Sequence, residues 1–375
     1  MKILLTGGGS GGHFYPLIAV AEEINAVVKE ENLIEAEIFF ISDSPYDAEA
    51  LAQNNIIFIQ NPAGKIRRYF SILNFFDFFK TIWGTISCII KVFNLYPDVI
   101  FSKGAGASFP VLFSAKILRI PLVIHESDSV PGKTNLWAGK FAKKIAISYP
   151  ETAKYFDKTK TAYTGNPIRE SIQNVSVAGS REILGLTEKI PTILVLGGSL
   201  GAQIINDAII QILPKLVEKY YVIHQTGKSN ISEVIKITDV ILTDSKFKDR
   251  YRPFDYLNDL NLSVASSSSN LIISRAGSTI FEIANWGIPS IIIPITNSNG
   301  DHQRENAYNY ARSGGAIVME EANLEPNILL SEINRLLENQ NLLEKMSKGA
   351  KSFSKNDSAE IIAKEIINIG LSHER

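Results

Sequence analysis

The chain has 375 residues, 45% hydrophobic and 21% charged, with 38 basic against 39 acidic side chains. That length suggests about two domains, each able to bury its own core, and the near-zero net charge excludes a bulk-basic nucleic-acid binder or an acidic solvating tail. A single cysteine, Cys88, excludes a disulfide framework and any CxxC zinc site, and fits a reducing compartment.

In chain order, the run Met1–Thr6 is too short for a signal-peptide core before glycines interrupt it. No stretch approaches ~18 uninterrupted apolar residues, so membrane contact is expected only from the surface. Strands are predicted at Ile3–Thr6, Ala36–Ser42, Ile56–Gln60, Asp98–Phe101, Pro121–His125 and Lys144–Ser148. A second series follows at Thr192–Leu196, Tyr221–His224, Leu271–Ser274, Ser290–Pro294 and Ala316–Met319. Helical patterns at Leu17–Val28, Gln203–Val217, Ser278–Trp286 and His302–Arg312 lie between them, the alternation of βα units on parallel sheets. Ser229–Ser269 gives no clear pattern, and its serine run Ser266–Ser269 reads as a loop or helix edge.

Two glycine-rich turns share one context. Ile3–Thr6 runs into Gly7-Gly8-Gly9-Ser10-Gly11-Gly12-His13 and Thr192–Leu196 into Gly197-Gly198-Ser199-Leu200-Gly201-Ala202, each before a helix. Glycine permits the sharp bend and leaves backbone N–H groups bare at a positive helix end, where an anion can sit. The expected architecture is α/β: two Rossmann-like domains of parallel sheet facing an interdomain cleft. The expected bounds are 1–164 and 165–355, with a C-terminal helix at 356–375 able to pack back on the N-terminal domain.

Gly7, Gly9 and Gly12 formally satisfy the dinucleotide pattern, but the acidic residue that pattern expects about 20 positions on is missing, Asp43 being the first candidate. His13, at the mouth of a helix that disfavours imidazolium, is either a neutral proton acceptor or a cap of the turn. His125-Glu126-Ser127-Asp128 ends a strand where open sheets place ligands, with a salt-bridged or capping set as the alternative. Glu282, one turn into the helix after Ser274-Arg275-Ala276-Gly277, can accept both hydroxyls of a ribose; Ser278 does not complete a capping box, because Phe281 stands where Glu or Gln belongs. The amide-rich loop Asn297–Asn306 either reads sugar hydroxyls or is solvated. No D-x-D pair, H-x-x-x-H spacing, nucleophile elbow or P-loop is present. Lys65, Arg67 and Arg68, then Phe75, Phe76, Phe78, Phe79, Lys80 and Trp83, form either core or a surface for anionic lipid.

Taken together these motifs resemble the MurG family of bacterial cell-wall glycosyltransferases, glycosyltransferase family 28. The resemblance is carried by Thr6–His13, His125-Glu126, Gly165-Asn166-Pro167-Ile168-Arg169 and Gly197–Ala202. It continues through His224-Gln225-Thr226-Gly227-Lys228, Ser274–Gly277, Glu282 and Asp301–Ala307, in the family's order from residue 6 to about 315. It implies a GT-B fold and an inverting enzyme that moves GlcNAc from UDP-GlcNAc to the MurNAc 4-hydroxyl of undecaprenyl-pyrophosphoryl-MurNAc-pentapeptide. The setting it implies is peripheral, on the cytoplasmic face of the cell membrane, touching anionic lipid through the N-terminal domain and in reach of other cell-wall synthesis proteins; no metal, cofactor or nucleic acid is implied.

By position, the resemblance puts Ser10, Gly11 and Gly12 in the first phosphate-type turn; the acceptor hydroxyl must lose a proton, and His13 is the expected base, with Glu126 as its rival. It puts Arg169 and Ser199 near the donor diphosphate, the Phe254 backbone against uracil, Glu282 on the ribose and Gln303 on the GlcNAc hydroxyls. Asp128 stands where the family has Asn against the donor sugar. Ser278, Thr279 and Ile280 fall in a donor-binding stretch one residue shorter than the commoner family form. Alternatives are a UDP-GlcNAc 2-epimerase, a diacylglycerol glycosyltransferase, and a non-catalytic sugar-nucleotide-binding subunit.

Overall fold

Alternating apolar runs and amphipathic stretches have one economical arrangement, parallel strands covered on both faces by helices. The computed structural model has this arrangement twice, and it describes residues 1–33, 35–62, 73–173, 178–198, 201–296 and 298–373. Ser199, Asn297 and the basic segment Lys65–Phe70 lie outside the described residues, as do the side chains of Phe75, Phe76, Phe78, Phe79 and Lys80. The chain divides into one unit of Met1–Arg169 with Lys355–Arg375, and a second of Glu170–Ser354.

In the first unit the strands are β1 (Lys2–Thr6), β2 (Glu37–Ser42), β3 (Ile56–Gln60), β4 (Val99–Ser102), β5 (Leu122–Glu126), β6 (Lys144–Ile147) and β7 (Thr161–Tyr163). They pair in parallel in the order β3-β2-β1-β4-β5-β6-β7. Successive side chains point to opposite faces, so Ile3, Leu5, Phe40 and Phe101 join one core while Leu4, Ile41, Ile100 and Ile124 join the other. The first core is closed by helix Gly11–Glu30 and by Ile362, Ile366 and Ile367 of the last helix, Ser358–His373.

On the second face, helix Leu73–Leu95 contributes Cys88 and Val92 to the core. This helix lies tight against the end of β3: a Cβ on Gly84 would overlap the Pro62 carbonyl, and Asn61 donates to the Gly84 carbonyl at 3.0 Å. Its opposite face leaves Trp83, Ile86, Ile90 and Phe93 exposed at 68, 48, 56 and 60%.

In the second unit the strands are β8 (Thr192–Leu196), β9 (Tyr221–Gln225), β10 (Tyr251–Phe254), β11 (Leu271–Ser274), β12 (Ser290–Ile292) and β13 (Ala316–Val318). Their order is β10-β9-β8-β11-β12-β13, again parallel. Ile193 and Val195 pack under Ile205, Ile209 and Leu213 of helix Gln203–Lys219.

Each sheet reverses direction of growth once, between β1 and β4 and between β8 and β11, and a crevice opens at the carboxyl ends of such a pair. The two glycine turns leave β1 and β8 at those points. Among the differences from the sequence reading, β7 and β10 are additional strands, the first helix begins at Gly11 rather than Leu17, β12 ends at Ile292 rather than Pro294, and the stretch Ser229–Ser269 holds helices Ile231–Ile241 and Asp259–Ser267. Ser266 and Ser267 close helix Asp259–Ser267.

Candidate active site at the two switch points

Ser10 is extended (φ −158°, ψ 160°), and the His13 and Phe14 amides bond to its carbonyl at 3.1 and 3.2 Å, which starts the helix on the glycines themselves. No side chain caps this helix and no acidic residue stands in its first turn. Its positive end is therefore shaped for an outside anion. Gly7 is glycine because the turn is crowded: a Cβ there would stand 2.7 Å from the His13 carbonyl oxygen and 3.3 Å from Lys103 Cβ.

Lys103 follows β4 directly across the switch. Its carbonyl lies 3.2 Å from His13 Nδ1. A carbonyl only accepts, so Nδ1 of a neutral His13 carries the hydrogen and Nε2 is the basic nitrogen. The lysine side chain turns inward, 1% exposed, with Nζ 2.6 Å from His125 Nδ1 and 3.3 Å from Asn166 Oδ1. His125 Nε2 donates to the Gly165 carbonyl at 2.9 Å, so its Nδ1 is the acceptor that receives Lys103. Burial, reinforced by the Lys103 charge, holds the His125 pKa well below the usual imidazole range. This histidine is a fixed neutral prop.

Glu126 is buried beside it. Its Oε1 accepts from the Asp128 amide at 3.0 Å, and its Oε2 from the Gly132 amide at 3.1 Å and Asn135 Nδ2 at 3.0 Å. Three donors on one carboxylate staple the loop that leaves β5. Burial first, then the Asp128 charge, pushes the Glu126 pKa up to about 7. Burial brings the Lys103 amine down to about 7 against the pull of Glu126 and Asp128. The turn after Lys103 is strained: Ala105 has φ 68° and ψ 168°, a conformation that essentially only glycine visits. Arg169, 6% exposed, lays its guanidinium 3.6 Å over the Tyr15 ring.

In the second unit, Gly201 (φ +78°) faces the Thr226 carbonyl so closely that no Cβ fits. Helix Gln203–Lys219 again has no side-chain cap and no acidic residue in its first turn. Beneath the turn, His224 spans Tyr251 Oη and Asn206 Oδ1, both at 3.0 Å, and Asn206 donates to the Thr226 carbonyl at 3.0 Å. Burial takes the His224 pKa to about 3 and raises Tyr251 above the usual phenol range.

Ser10, Gly11, Gly12 and His13 follow β1 and Glu126 and Asp128 stand at the end of β5, with His13 against the Lys103 carbonyl. Phe254 stands at the end of β10 with its carbonyl taking both the amide and the hydroxyl of Thr226, at 2.9 and 3.1 Å. Ser278, Thr279 and Glu282 are half-buried after β11. Ile280 is fully buried and its amide bonds to the Gly277 carbonyl at 3.1 Å, so its side chain belongs to the core. Gln303 Oε1 accepts from the Ile295 amide at 3.2 Å, and the Gln303 amide bonds to Ser298 Oγ at 3.1 Å, which fixes the loop after β12. Arg275 braces the same loop from below through Glu321 at 2.7 Å. Lys103, Asn135 and Asn166 were not singled out as site residues from sequence. The available signal was a third strand-then-glycine turn, Ser102-Lys103-Gly104-Ala105-Gly106.

Comparison with known proteins places both units. The glycosyltransferase family 28 N-terminal domain matches residues 3–147 and the family 28 C-terminal domain residues 192–362. A Bacillus thuringiensis (strain Al Hakam) protein is 35% identical over 342 residues, 90% of this chain and 92% of its own. It is named UDP-N-acetylglucosamine--N-acetylmuramyl-(pentapeptide) pyrophosphoryl-undecaprenol N-acetylglucosamine transferase 3. Among solved structures, Acinetobacter baumannii MurG superposes with a TM-score of 0.70 at 23% identity, over 98% of this chain and 99% of that one. The UDP-GlcNAc 2-epimerase from Neisseria meningitidis, bound to UDP-GlcNAc, gives 0.67 at 13% identity over 98 and 100%. At those identities the structural likeness concerns the fold.

Proposed function

The chain belongs to glycosyltransferase family 28, and from that membership we infer that it moves N-acetylglucosamine from UDP-GlcNAc to N-acetylmuramyl-(pentapeptide) pyrophosphoryl-undecaprenol. The acceptor 4-hydroxyl attacks the anomeric carbon, and the bond from that carbon to the UDP β-phosphate oxygen breaks with inversion. The hydroxyl proton goes to His13 Nε2. One observation carries this assignment: the Lys103 carbonyl against His13 Nδ1 leaves Nε2 as the basic nitrogen at a helix end that favours the neutral ring. Glu126 is committed to three N–H donors and serves as a staple of the loop.

The second unit takes the donor. Its glycine turn and the uncapped helix behind it meet the diphosphate charge with backbone N–H groups, together with the Ser199 side chain, and Arg169 is the guanidinium we assign to the same charge. Phe254 stands at the uracil, Glu282 takes the ribose, and Ser278, Thr279 and the Ile280 backbone line the same pocket. Gln303 and Asp128 meet the sugar, while Ser10, Gly11 and Gly12 face the acceptor diphosphate. The test is transfer of labelled GlcNAc to the lipid acceptor, with UDP-GalNAc and UDP-Glc as donor controls. Consumption of UDP-GlcNAc without acceptor would instead mark an epimerase.

Among the described residues no helix is long and apolar enough to cross a membrane. Trp83, Ile86, Ile90 and Phe93 recur at helical spacing on one exposed face, an arrangement suited to resting in the lipid interface at the cytoplasmic side. Binding to phosphatidylglycerol vesicles should fall about tenfold or more in a Trp83→Asp/Phe93→Asp variant, since each large apolar side chain withdrawn from lipid forfeits roughly 1.5–3 kcal/mol. Unchanged binding would remove this face from the proposal.

A further inference from the structure

We propose that Gln225 is a positioning residue for the sugar nucleotide: its side-chain amide ties the glycine turn after β8 to the segment after β10, so that the part of the pocket assigned to the diphosphate and the part assigned to uracil are held as one.

The second sheet places β9 between β8 and β10, and its last residue, Gln225, is in register with Leu196 on one side and Phe254 on the other. Leu196 leads directly into Gly197, and Phe254 into the segment that reaches Leu257. A long side chain at this position therefore stands between the two stretches that leave the neighbouring strands. Gln225 Nε2 donates to the Gly198 carbonyl at 3.0 Å, and Gln225 Oε1 accepts from the Leu257 amide at 3.0 Å. The residue is 6% exposed, so water does not compete for either bond. A carbonyl only accepts and a backbone N–H only donates, which fixes the amide's orientation. A carboxylate here could serve only Leu257, and an ammonium only Gly198.

The two ends of the turn are held in different ways. Gly201 is pressed against the Thr226 carbonyl so closely that a Cβ would overlap it. Gly198 (φ +82°) has no such contact, since a Cβ built on it meets nothing within 4 Å. Its hold is through hydrogen bonds: its carbonyl takes the Gly201 amide at 3.0 Å and the Gln225 amide beside it. On the far side the anchor is firm. Leu257 is 3% exposed, and Asn258 next to it caps helix Asp259–Ser267 by accepting from the Asn261 amide at 2.9 Å. Gln225 thus passes the rigidity of a helix start to a glycine whose backbone has many other conformations open to it. A binding site that is competent only part of the time loses affinity by that fraction.

The proposal rests on the donor reading above, and the experiment compares UDP with uridine, which lacks the phosphates. Gln225→Met keeps the length and adds no charge but removes both bonds. The ratio of the uridine Kd to the UDP Kd, by NMR titration, should fall by about tenfold, as expected if the unanchored turn is competent about one time in ten. Amide hydrogen exchange supplies the second arm. In the wild type, uridine alone should raise protection of the Gly201 amide, and in Gln225→Met it should not. A glutamine that merely fills space would lower Tm and weaken UDP and uridine by the same factor, and that result overturns the proposal, as does an unchanged pair of Kd values. If Gln225→Met does not fold, the wild-type exchange decides: a Gly201 amide indifferent to uridine overturns it, a protected one supports it. A wild type that binds no UDP would instead bring down the donor reading itself, so the two failures are distinguishable.

Discussion

Each unit lays a glycine-rich stretch, between β1 or β8 and the helix that follows, over a different kind of interior. Below Gly7–Gly12 lie Lys103 and Glu126, both brought near 7, beside Asp128 and the neutral His125. Below Gly197–Gly201 lies a neutral lattice, His224 between Tyr251 and Asn206, with no carboxylate in the chain of hydrogen bonds. A turn that presents N–H groups to an anion needs only rigidity underneath. A turn that also ends in a base needs charges underneath that can be tuned. The difference fits the proposed placing of the proton acceptor in the first unit.

The largest effect that could break this contrast is at His13. His13→Ala should lower kcat by about 10²–10⁴, the usual worth of a general base, while UDP-GlcNAc binding persists by calorimetry. Near wild-type turnover, or a larger loss in Glu126→Ala, would move the base elsewhere. On the rigid side, Gly201→Ala forces a side chain at φ +78° against the Thr226 carbonyl. It should destabilise the second unit by roughly 2–4 kcal/mol and weaken UDP binding, read by Tm and titration calorimetry.

A smaller effect separates the two undersides by pH. The His224 pKa falls from 6.5 to about 3 on folding. The unfolded chain therefore binds the extra proton, and the stabilisation is complete above about 6.5 and drains as pH falls towards 3. The slope from this group alone is about 1.4 kcal/mol per pH unit. His224→Asn should lower Tm at pH 7.5 yet flatten the acid limb of stability, leaving the pH profile of turnover in place. The smallest expected change is on chelation: with N–H groups and Arg169 carrying the leaving charge, EDTA should alter the transfer rate by less than about twofold. A strict divalent-ion requirement at the chemical step would overturn that account.

Much of this was legible in the chain. β3, β8 and β11 carry continuous apolar runs, and their bounds read directly as Ile56–Gln60, Thr192–Leu196 and Leu271–Ser274. β7 is three partly exposed edge residues, too short to show a period. β10 contains Arg252 and Pro253, a composition that argues against a strand except at an edge, which is where it lies. The glycine turns and His13 announce themselves through backbone chemistry that a sequence displays. Lys103 does not: a lysine after a strand normally reads as solvated. Only the register of β4 against β5, together with Asn166 some sixty residues on, buries it.

The first unit is written in two pieces, Met1–Arg169 and Lys355–Arg375, with the whole second unit between them. On the ribosome, residues 170–354 emerge with a complete hydrophobic interior while the first sheet still lacks Ile362, Ile366 and Ile367. The nascent chain thus carries an unfinished apolar surface until its closing helix arrives, and the second unit can mature before the first. Order of assembly is in this way inscribed in the threading of the polypeptide.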